Sequence, residues 1–305
     1  MKAPFRYRRL GYVALNVTDL ARTTAFATEI FRLSVQSDAA DGSRFLRCGV
    51  RHHEIILTQA PAAGFERAGW ELETPEDVDR AFHHFETLGL NPQPLADEQK
   101  AAFGLSRDLA FRLREPTTRA SYEYYSRMEN IASPRSDTTT RFVGDIHFGL
   151  VVPDAKATVR FAAEKLGFVI SDYVGDHMVT LMRAFPNPNH HSFAPVQSPD
   201  GSCKFHHVAF MVEEIDDVGK LLNRCKRAAV DIAFGIGRHP TSGSIHLYIY
   251  DPDGMVWEYT LGMEQFPEVG AREPRLMSAR PEDFDLWGAM PDPGFLARGA
   301  LVVTE

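Results

Sequence analysis

The sequence predicts an α+β protein of two domains, each built from a pair of β-α-β-β-β modules. An internal repeat is the main observation behind this prediction. Three segments of the first half align without gaps on the second half: residues 11–35 on 146–170, 69–92 on 209–232, and 111–125 on 247–261. Their offsets are 135 (146 − 11), 140 (209 − 69) and 136 (247 − 111). Such a small drift favours one duplicated unit over three coincidences.

The modules carry the same local signals in the same order. The first strand of each domain ends at an aspartate that can cap a helix, Asp19 or Asp154. The helix that follows in the second domain places Val159 and Leu166 at helical spacing, and two or three strands with turns come next. The last module repeats the plan with the strand "HHVAFMV", a helix from Ile215, and the strands around "IHLYIYDPDGMVWEYT". The "DPDG" in this segment predicts a turn, since proline presets φ and glycine accepts positive φ.

The repeat sets the expected domain boundaries. We expect a first domain at 1–133 and a second at 140–265, joined by the polar segment "IASPRSDTTT". The tail, 266–305, has no counterpart in the first half. It carries Phe284 and Trp287, which predict that the tail docks on the body rather than remaining disordered.

Composition narrows the function classes. The chain of 305 residues carries a formal net charge of −8, which argues against a nucleic-acid or anionic-membrane surface, because either would need a basic face. Apolar runs are too short for a membrane span, and the N-terminus lacks a signal-peptide core. The three cysteines are scattered, which predicts a cytoplasmic protein without a disulfide framework or a thiolate metal site.

Three aligned positions change character together between the two halves. By the three offsets, His147 matches Tyr12, His207 matches Arg67, and Glu258 matches Tyr122; the pairs occupy equivalent places in the repeat. Two neutral imidazoles and one carboxylate suit a divalent first-row metal such as Fe(II), and Mn(II) accepts the same donors. The sequence therefore predicts a metal site in the second half alone. A single buried histidine is more often a core residue, so the prediction depends on the three positions jointly.

Other histidines occur in adjacent pairs, and the sequence predicts that they are not metal ligands. Strand alternation turns His206 away from His207, which predicts a supporting or surface role for it. We expect the remaining adjacent pairs to lie at the surface of the first domain: His52, His53, His83 and His84.

The segments "GDIHFGL", "NHHSFA", "FHHVAF" and "GRHPTSGSIHLYIYDPDGMVWEY" occur in the order typical of one family. The chain resembles the type I extradiol ring-cleaving catechol dioxygenases of the vicinal oxygen chelate superfamily. The resemblance extends to about residue 265 and implies that superfamily's fold. It also implies cleavage of a catechol by O₂ beside its two hydroxyls, as in aromatic hydrocarbon catabolism, and a homo-oligomer. Fe(II) would be bound by His147, His207 and Glu258.

The resemblance also implies roles for residues around the metal. His191 occupies the place of the acid/base catalyst, and His239 and Tyr248 match the pair that hydrogen-bonds substrate and oxygen. Histidine titrates near neutrality, so it can take a catechol proton and return it. Candidates for the apolar pocket wall are Phe185, Phe193, Met182 and Trp257, with His246 as a lesser one.

Two alternatives use the same scaffold. One is a metal-dependent isomerase or lyase of the glyoxalase type, whose sites resemble an arrangement of four protein ligands shared between modules. The other is a non-enzymatic protein that binds an aromatic ligand in a metal-free cavity. Such a protein would have no use for His147, Glu258 and His191 together.

Overall fold

A computed structural model describes residues 3–295 of the chain. The first sheet contains the following eight strands: β1 (Tyr7–Val17), β2 (Ser34–Asp38), β3 (Arg44–Arg47), β4 (Ile55–Gln59), β5 (Gly64–Leu72), β6 (Gln93–Pro94), β7 (Phe111–Arg114) and β8 (Ser121–Tyr125). Its helices are α1 (Leu20–Ala25), which continues as a π-helical turn over Phe26–Ile30, α2 (Pro75–Thr87) and α3 (Asp97–Ala102).

The second sheet contains the following nine strands: β9 (Phe142–Val152), β10 (Phe168–Val174), β11 (Val179–Ala184), β12 (Phe193–Gln197), β13 (Lys204–Val212), β14 (Ile232–Arg238), β15 (Ile245–Tyr250), β16 (Val256–Leu261) and β17 (Arg275–Met277). Its helices are α4 (Ala155–Phe161), which continues as a π-helical turn over Ala162–Leu166, and α5 (Ile215–Ala228). A 3₁₀ turn spans Pro281–Asp283.

Strand order confirms the predicted α+β class and its modules. The sheets run β2-β3-β4-β1-β5-β8-β7-β6 and β14-β15-β16-β13-β9-β12-β11-β10-β17. In each half the first strands of two modules pair antiparallel at the centre, β1 with β5 and β9 with β13. The last strand of every module pairs parallel with its own first strand. Among the strands of residues 3–295, only β17, from the tail, has no equivalent in the first sheet; it pairs with β10.

The predicted helix caps form in both halves. The side chain of Asp19 accepts a hydrogen bond from the Arg22 amide at 2.9 Å, and Asp154 accepts one from Ala157 at the same distance. Each helix then ends in a π-helical turn, so the copies share even this irregularity. The helices cover one face of each sheet, and the apolar core between the two halves is continuous. Phe65 stacks on Phe148 across it, with ring centroids 5.4 Å apart.

The two aromatic residues of the tail that predict its docking differ in exposure. In the tail, Phe284 is half-buried, whereas Trp287 is 52% exposed and lies beside Arg238. Residues 1–2 and 296–305, which belong to the expected first domain and tail, lie outside the described residues. Within 3–295, none of the helices is both long enough and apolar enough to cross a membrane.

Strand register corrects one of the three predicted correspondences. His147 pairs with Ala209 as Tyr12 pairs with Gly69, so His147 and Tyr12 are equivalent. Ala209 pairs in turn with Glu258, whereas Gly69 pairs with Glu123. Glu258 therefore matches Glu123, and the predicted match to Tyr122 was wrong.

The error comes from the hairpin that leads into the last strand. Arg112 faces Glu123 across it, and Tyr248 faces Glu258. The first hairpin thus spans eleven positions (123 − 112) against ten (258 − 248), so it is one residue longer. An ungapped alignment through it is shifted by one residue, which exchanges the two faces of the strand.

The first half therefore keeps a carboxylate at the equivalent place, but the group is already neutralised. Glu123 is fully buried, accepts hydrogen bonds from Tyr12 and Arg112, and lies 3.3 Å from Nε of Arg67. Burial and the Glu123 carboxylate raise the pKa of Tyr12 well above its usual value, so the hydroxyl stays a donor. In this half an arginine and a tyrosine stand where the second half has two histidines.

We expect Glu123→Ala to lower the free energy of unfolding by about 3–5 kcal/mol, because it removes the fully buried carboxylate that Tyr12 and Arg67 share and leaves Arg67 with the half-buried Glu66. Chemical denaturation followed by circular dichroism measures this loss. Asp38→Asn is the control, since it breaks an exposed ion pair with Arg44, worth about 0–1 kcal/mol. Similar losses for the two variants would contradict a structural role for Glu123.

Candidate active site

Three side chains of ligand type converge on one face of the second sheet. His147 lies on β9, His207 on β13 and Glu258 on β16, and all three are buried. Oε2 of Glu258 lies 3.2 Å from Nε2 of His147 and 3.6 Å from Nε2 of His207. One ligand atom from each residue falls within 4.8 Å of the other two. These are the three residues that the sequence singled out.

The sheet produces this cluster through its register. Ala209 faces His147 on one side and Glu258 on the other, and His207 lies two residues before Ala209 on the same strand face. Gly149, opposite His207, makes room for the imidazole. A Cβ at this glycine would stand 2.8 Å from Cε1 of His207.

The cluster has the properties of a divalent metal site. Nε2 of His207 and Oε2 of Glu258 are buried and have no hydrogen-bond partner among the described residues. Burial, with His206 and His147 nearby, lowers the pKa of His207 well below its usual value, so the imidazole is neutral, as a metal ligand must be. Two neutral nitrogens and a carboxylate fit Fe(II) or Mn(II). A bound cation would also satisfy the two unpartnered atoms.

His191 lies against this cluster, just before β12. Its ring centroid is 4.3 Å from that of His147, and its side chain lines the adjoining cavity. Its Nδ1 is 3.2 Å from Nδ1 of His190. Burial, followed by the neighbouring histidines, lowers the pKa of His191 well below its usual value. A neutral imidazole at the edge of a cavity can accept a proton from a bound hydroxyl.

His239 and Tyr248 form a hydrogen-bonded pair that lines the same cavity. Nδ1 of His239 donates to the carbonyl of Phe284 at 2.9 Å, and burial lowers the pKa of His239. Its Nε2 is then an acceptor, and the hydroxyl of Tyr248 lies 2.9 Å from it. The Tyr248 ring packs on His207 with centroids 5.4 Å apart. Burial and the Glu258 carboxylate raise the pKa of Tyr248 well above its usual value, so it stays protonated.

A cavity of about 470 Å³ reaches the cluster at His207. One wall comes from β10–β12, where Val174, Leu181 and Val196 face inward. The other comes from the tail, which contributes Met290 and Phe295 among others. The cavity therefore has a polar end made of histidines and Tyr248, and long apolar walls.

None of the five predicted wall residues lines this cavity, which corrects the prediction. Met182 and Phe193 are buried in the core, and Trp257 packs between Phe31 and Phe210. Alternation explains all three, because their strand neighbours Leu181, Ala194 and Glu258 face the cavity or the metal cluster.

Phe185 and His246, the remaining two predicted wall residues, do not line the cavity either. Phe185 contacts Arg183, at 5.8 Å from the guanidinium, away from the cavity. His246 is fully buried behind His239, with ring centroids 4.0 Å apart, and its Nε2 lies 2.9 Å from Oδ2 of Asp285. It supports the wall rather than forming it.

Several histidines outside the metal cluster are buried, which the sequence did not predict. His206 is buried, lines the cavity, and places its Nδ1 at 2.6 Å from Nδ1 of His207. His52 and His53 are buried, so the prediction of a surface position was wrong for them. On the helix, His83 is exposed and His84 is half-buried.

The buried histidine pair of the first half, His52 and His53, has a counterpart at the active site. Ile55 pairs with Val13 on β1 as Phe193 pairs with Phe148 on β9, so His53 is the equivalent of His191. The sequence "HH", which stands before β4 and before β12, could have revealed this equivalence. An offset of 138 (193 − 55), instead of 135, hid it from the alignment.

The chain is similar to known proteins in sequence and in fold. Residues 146–259 match the family described as the Glyoxalase/Bleomycin resistance protein/Dioxygenase superfamily. A 1,2-dihydroxynaphthalene dioxygenase of Sphingobium xenophagum is 24% identical over 273 residues, covering 85% of this chain and 89% of that protein. An iron-dependent extradiol dioxygenase of Rhodococcus jostii is 23% identical over 300 residues, covering 92% and 98%.

Solved structures share the whole fold. The crystal structure of BphC, a halotolerant catechol dioxygenase, superposes with a TM-score of 0.85 at 21% identity, covering 98% of this chain and 99% of that one. A Mn(II)-bound glyoxalase from Novosphingobium aromaticivorans superposes with a TM-score of 0.82 at 24% identity, covering 96% and 94%. Residues 146–259 therefore form a domain of the Glyoxalase/Bleomycin resistance protein/Dioxygenase superfamily.

Proposed function

We propose that the protein is an extradiol dioxygenase that inserts both atoms of O₂ into a catechol-type substrate. One observation supports this function above all. A buried cluster of three ligands faces an apolar cavity, and His191, His239 and Tyr248 surround the junction. The two dioxygenases named above are relatives over most of the chain.

The metal held by His147, His207 and Glu258 is proposed to be Fe(II). When bound, such an ion would supply open coordination positions and electron transfer between an aromatic diol and O₂. Mn(II) fits the same donors, and metal analysis of the purified protein separates the two.

The proposed proton chemistry belongs to His191. Its Nδ1 faces His190, which leaves Nε2 for the substrate. This nitrogen would take a proton from a catechol hydroxyl as the diol binds and return it as the ring opens. Burial favours the neutral form that can accept it.

Tyr248 and His239 would orient the bound reactants. The hydroxyl of Tyr248 now bonds Nε2 of His239 at 2.9 Å and can turn its proton toward an oxygen in the cavity. His239 is itself fixed by the Phe284 carbonyl. The pair thus stabilises negative charge on oxygen without adding a permanent charge.

The cavity lining restricts the substrate's ring substituents. Among residues 3–295, neither arginine nor lysine lines the cavity, while Asp283 and Asp292 do. A carboxylate on the ring would be buried without a cation to pair with it, which is costly. We therefore infer a catechol that carries an uncharged, apolar substituent.

A glyoxalase-type isomerase remains the main alternative, and one structural neighbour is a glyoxalase. Within the described residues, the metal cluster contains three ligands and no fourth. The first half cannot supply one from the equivalent face, because Glu123 is occupied by Tyr12, Arg67 and Arg112. An open three-ligand cluster favours the dioxygenase.

We expect Glu258→Gln and His207→Ala to abolish stoichiometric binding of Fe(II) or Mn(II), because each removes a ligand. Metal analysis after anaerobic loading measures this. Tyr12→Phe is the control at the position equivalent to His147, and it should leave metal content unchanged. Iron bound in the first half, or full occupancy in Glu258→Gln, would contradict the assigned site.

We expect His191→Asn to keep metal and catechol binding while kcat falls by about 10²- to 10⁴-fold, the usual contribution of general acid–base catalysis. Steady-state oxygen uptake and anaerobic catechol titration measure the two properties separately. Loss of metal from this variant would show that His191 has been assigned the wrong role.

We expect the Fe(II)-loaded protein to consume O₂ and form a yellow ring-opened product with 3-phenylcatechol or 3-methylcatechol. For 3,4-dihydroxyphenylacetate, kcat/KM should be lower by about 10-fold or more, since its carboxylate meets no cation. A clear preference for the charged substrate would overturn the inferred substituent. No O₂ uptake across a broad catechol panel would overturn the dioxygenase itself.

A further inference from the structure

A buried chain of three side chains leads away from the proposed acid/base catalyst. Nδ1 of His191 lies 3.2 Å from Nδ1 of His190, and Nε2 of His190 lies 2.8 Å from Oδ2 of Asp172. The side chains of His190 and Asp172 are completely inaccessible to solvent. Neither residue lines the cavity, so both can act only through His191.

Asp172 is held as a carboxylate. Arg272 donates from both terminal nitrogens at 2.9 Å, and Arg275 donates from its amide and from Nη2 at 2.7 Å. Burial opposes ionisation, but the hydrogen bonds from His190, Arg275 and Arg272 prevail and hold the pKa of Asp172 well below its usual range. An ionised carboxylate accepts hydrogen bonds and donates none.

The ionised Asp172 fixes the positions of the ring protons on His190 and His191. Since Asp172 can only accept, Nε2 of His190 must carry the hydrogen that it donates. Burial lowers the pKa of His190, and in the neutral ring Nδ1 is then a bare acceptor. His191 must therefore donate from its own Nδ1, which leaves the lone pair of the ring on Nε2.

We propose that Asp172 and His190 are positioning residues that hold His191 in the Nδ1–H tautomer. In this form Nε2 is ready to accept a substrate proton. The catalytic consequence rests on the proposed function, whereas the tautomer itself follows from the hydrogen bonds alone.

The first half of the chain offers an internal comparison. His52 and His53 repeat the contact between ring nitrogens, with Nδ1 atoms 2.9 Å apart. Ser37 follows a bulge on β2 as Asp172 follows one on β10, so a serine occupies the equivalent position. The histidine pair is thus present in both halves, but the carboxylate occurs only beside the metal cluster.

A second metal site does not explain these residues. Asp172, His190 and Glu264 also bring ligand atoms within 4.8 Å of one another. However, Arg272 already bridges Asp172 and Glu264, at 2.9 and 2.6 Å. Its guanidinium supplies the positive charge that a metal cation would bring. The cluster is therefore an ion-pair network that holds Asp172 in place beside His190.

The tautomer can be measured without any catalysis. We expect ¹⁵N NMR of the metal-free protein, labelled at its histidine ring nitrogens, to show a proton on Nδ1 of His191 and on Nε2 of His190. Loss of signals in His190→Phe and His191→Asn provides the assignments. A proton found on Nε2 of neutral His191 overturns the proposal, whatever the protein catalyses.

Asp172→Asn tests the consequence, because an amide group can donate to Nε2 of His190 and so reverse both tautomers. We expect unchanged metal content and KM, a kcat reduced by about 10²- to 10⁴-fold, and the His191 proton moved to Nε2. Asp176→Asn is the control in the turn that follows β10, since Asp176 is exposed and pairs with exposed Lys156. Unchanged kcat in Asp172→Asn, with the fold intact, contradicts the proposal.

His190→Phe keeps the pairs of Asp172 with Arg272 and Arg275, so it remains informative if Asp172→Asn does not fold. We expect it to lower kcat while metal content and KM stay unchanged. Full activity in a folded His190→Phe also overturns the proposal. If the wild type shows the expected tautomer but no oxygen uptake with any catechol, the proposed function fails and the tautomer assignment survives.

Discussion

The antiparallel pairing of β9 with β13 is the constraint on which the site depends. It places His147 and His207 on one face, two register steps apart, and the parallel addition of β16 brings Glu258 beside them. The first half makes the same pairing between β1 and β5. The scaffold therefore offers two equivalent faces, and side-chain chemistry alone decides which of them can bind a metal.

The two faces differ in how they neutralise a buried glutamate. Glu123 meets Arg67, Arg112 and a tyrosine hydroxyl, so its charge is compensated within the protein. Glu258 faces the imidazoles of His147 and His207, and one of its oxygens has no hydrogen-bond partner among the described residues. A buried carboxylate in that state is unfavourable until a cation arrives. A divalent ion bound at this site would neutralise Glu258 as the guanidinium of Arg67 neutralises Glu123.

The repeat predicted the module order, the helix caps and the residues of the metal cluster, because each depends on local spacing within a strand or turn. It failed where inserted residues change the offset between the halves, by one residue before Glu123 and by three around His53. It also failed for the cavity wall, because alternation along each strand turns the apolar neighbours of cavity-facing and ligand residues toward the core. Met182, Phe193 and Trp257 instead face the core, and the tail that supplies much of the wall has no repeat partner.

The tail orients three histidines as well as lining the cavity. Arg272 and Arg275 hold the Asp172 carboxylate that bonds His190, Asp285 bonds His246, and the Phe284 carbonyl accepts from His239. Phe284 also lines the cavity, so one residue helps to shape the apolar wall and to set a proton position. In the described part of the first half, by contrast, Nε2 of the buried His53 has no hydrogen-bond partner. The tail thus gives the second half hydrogen-bond partners that fix the proton positions of its histidines.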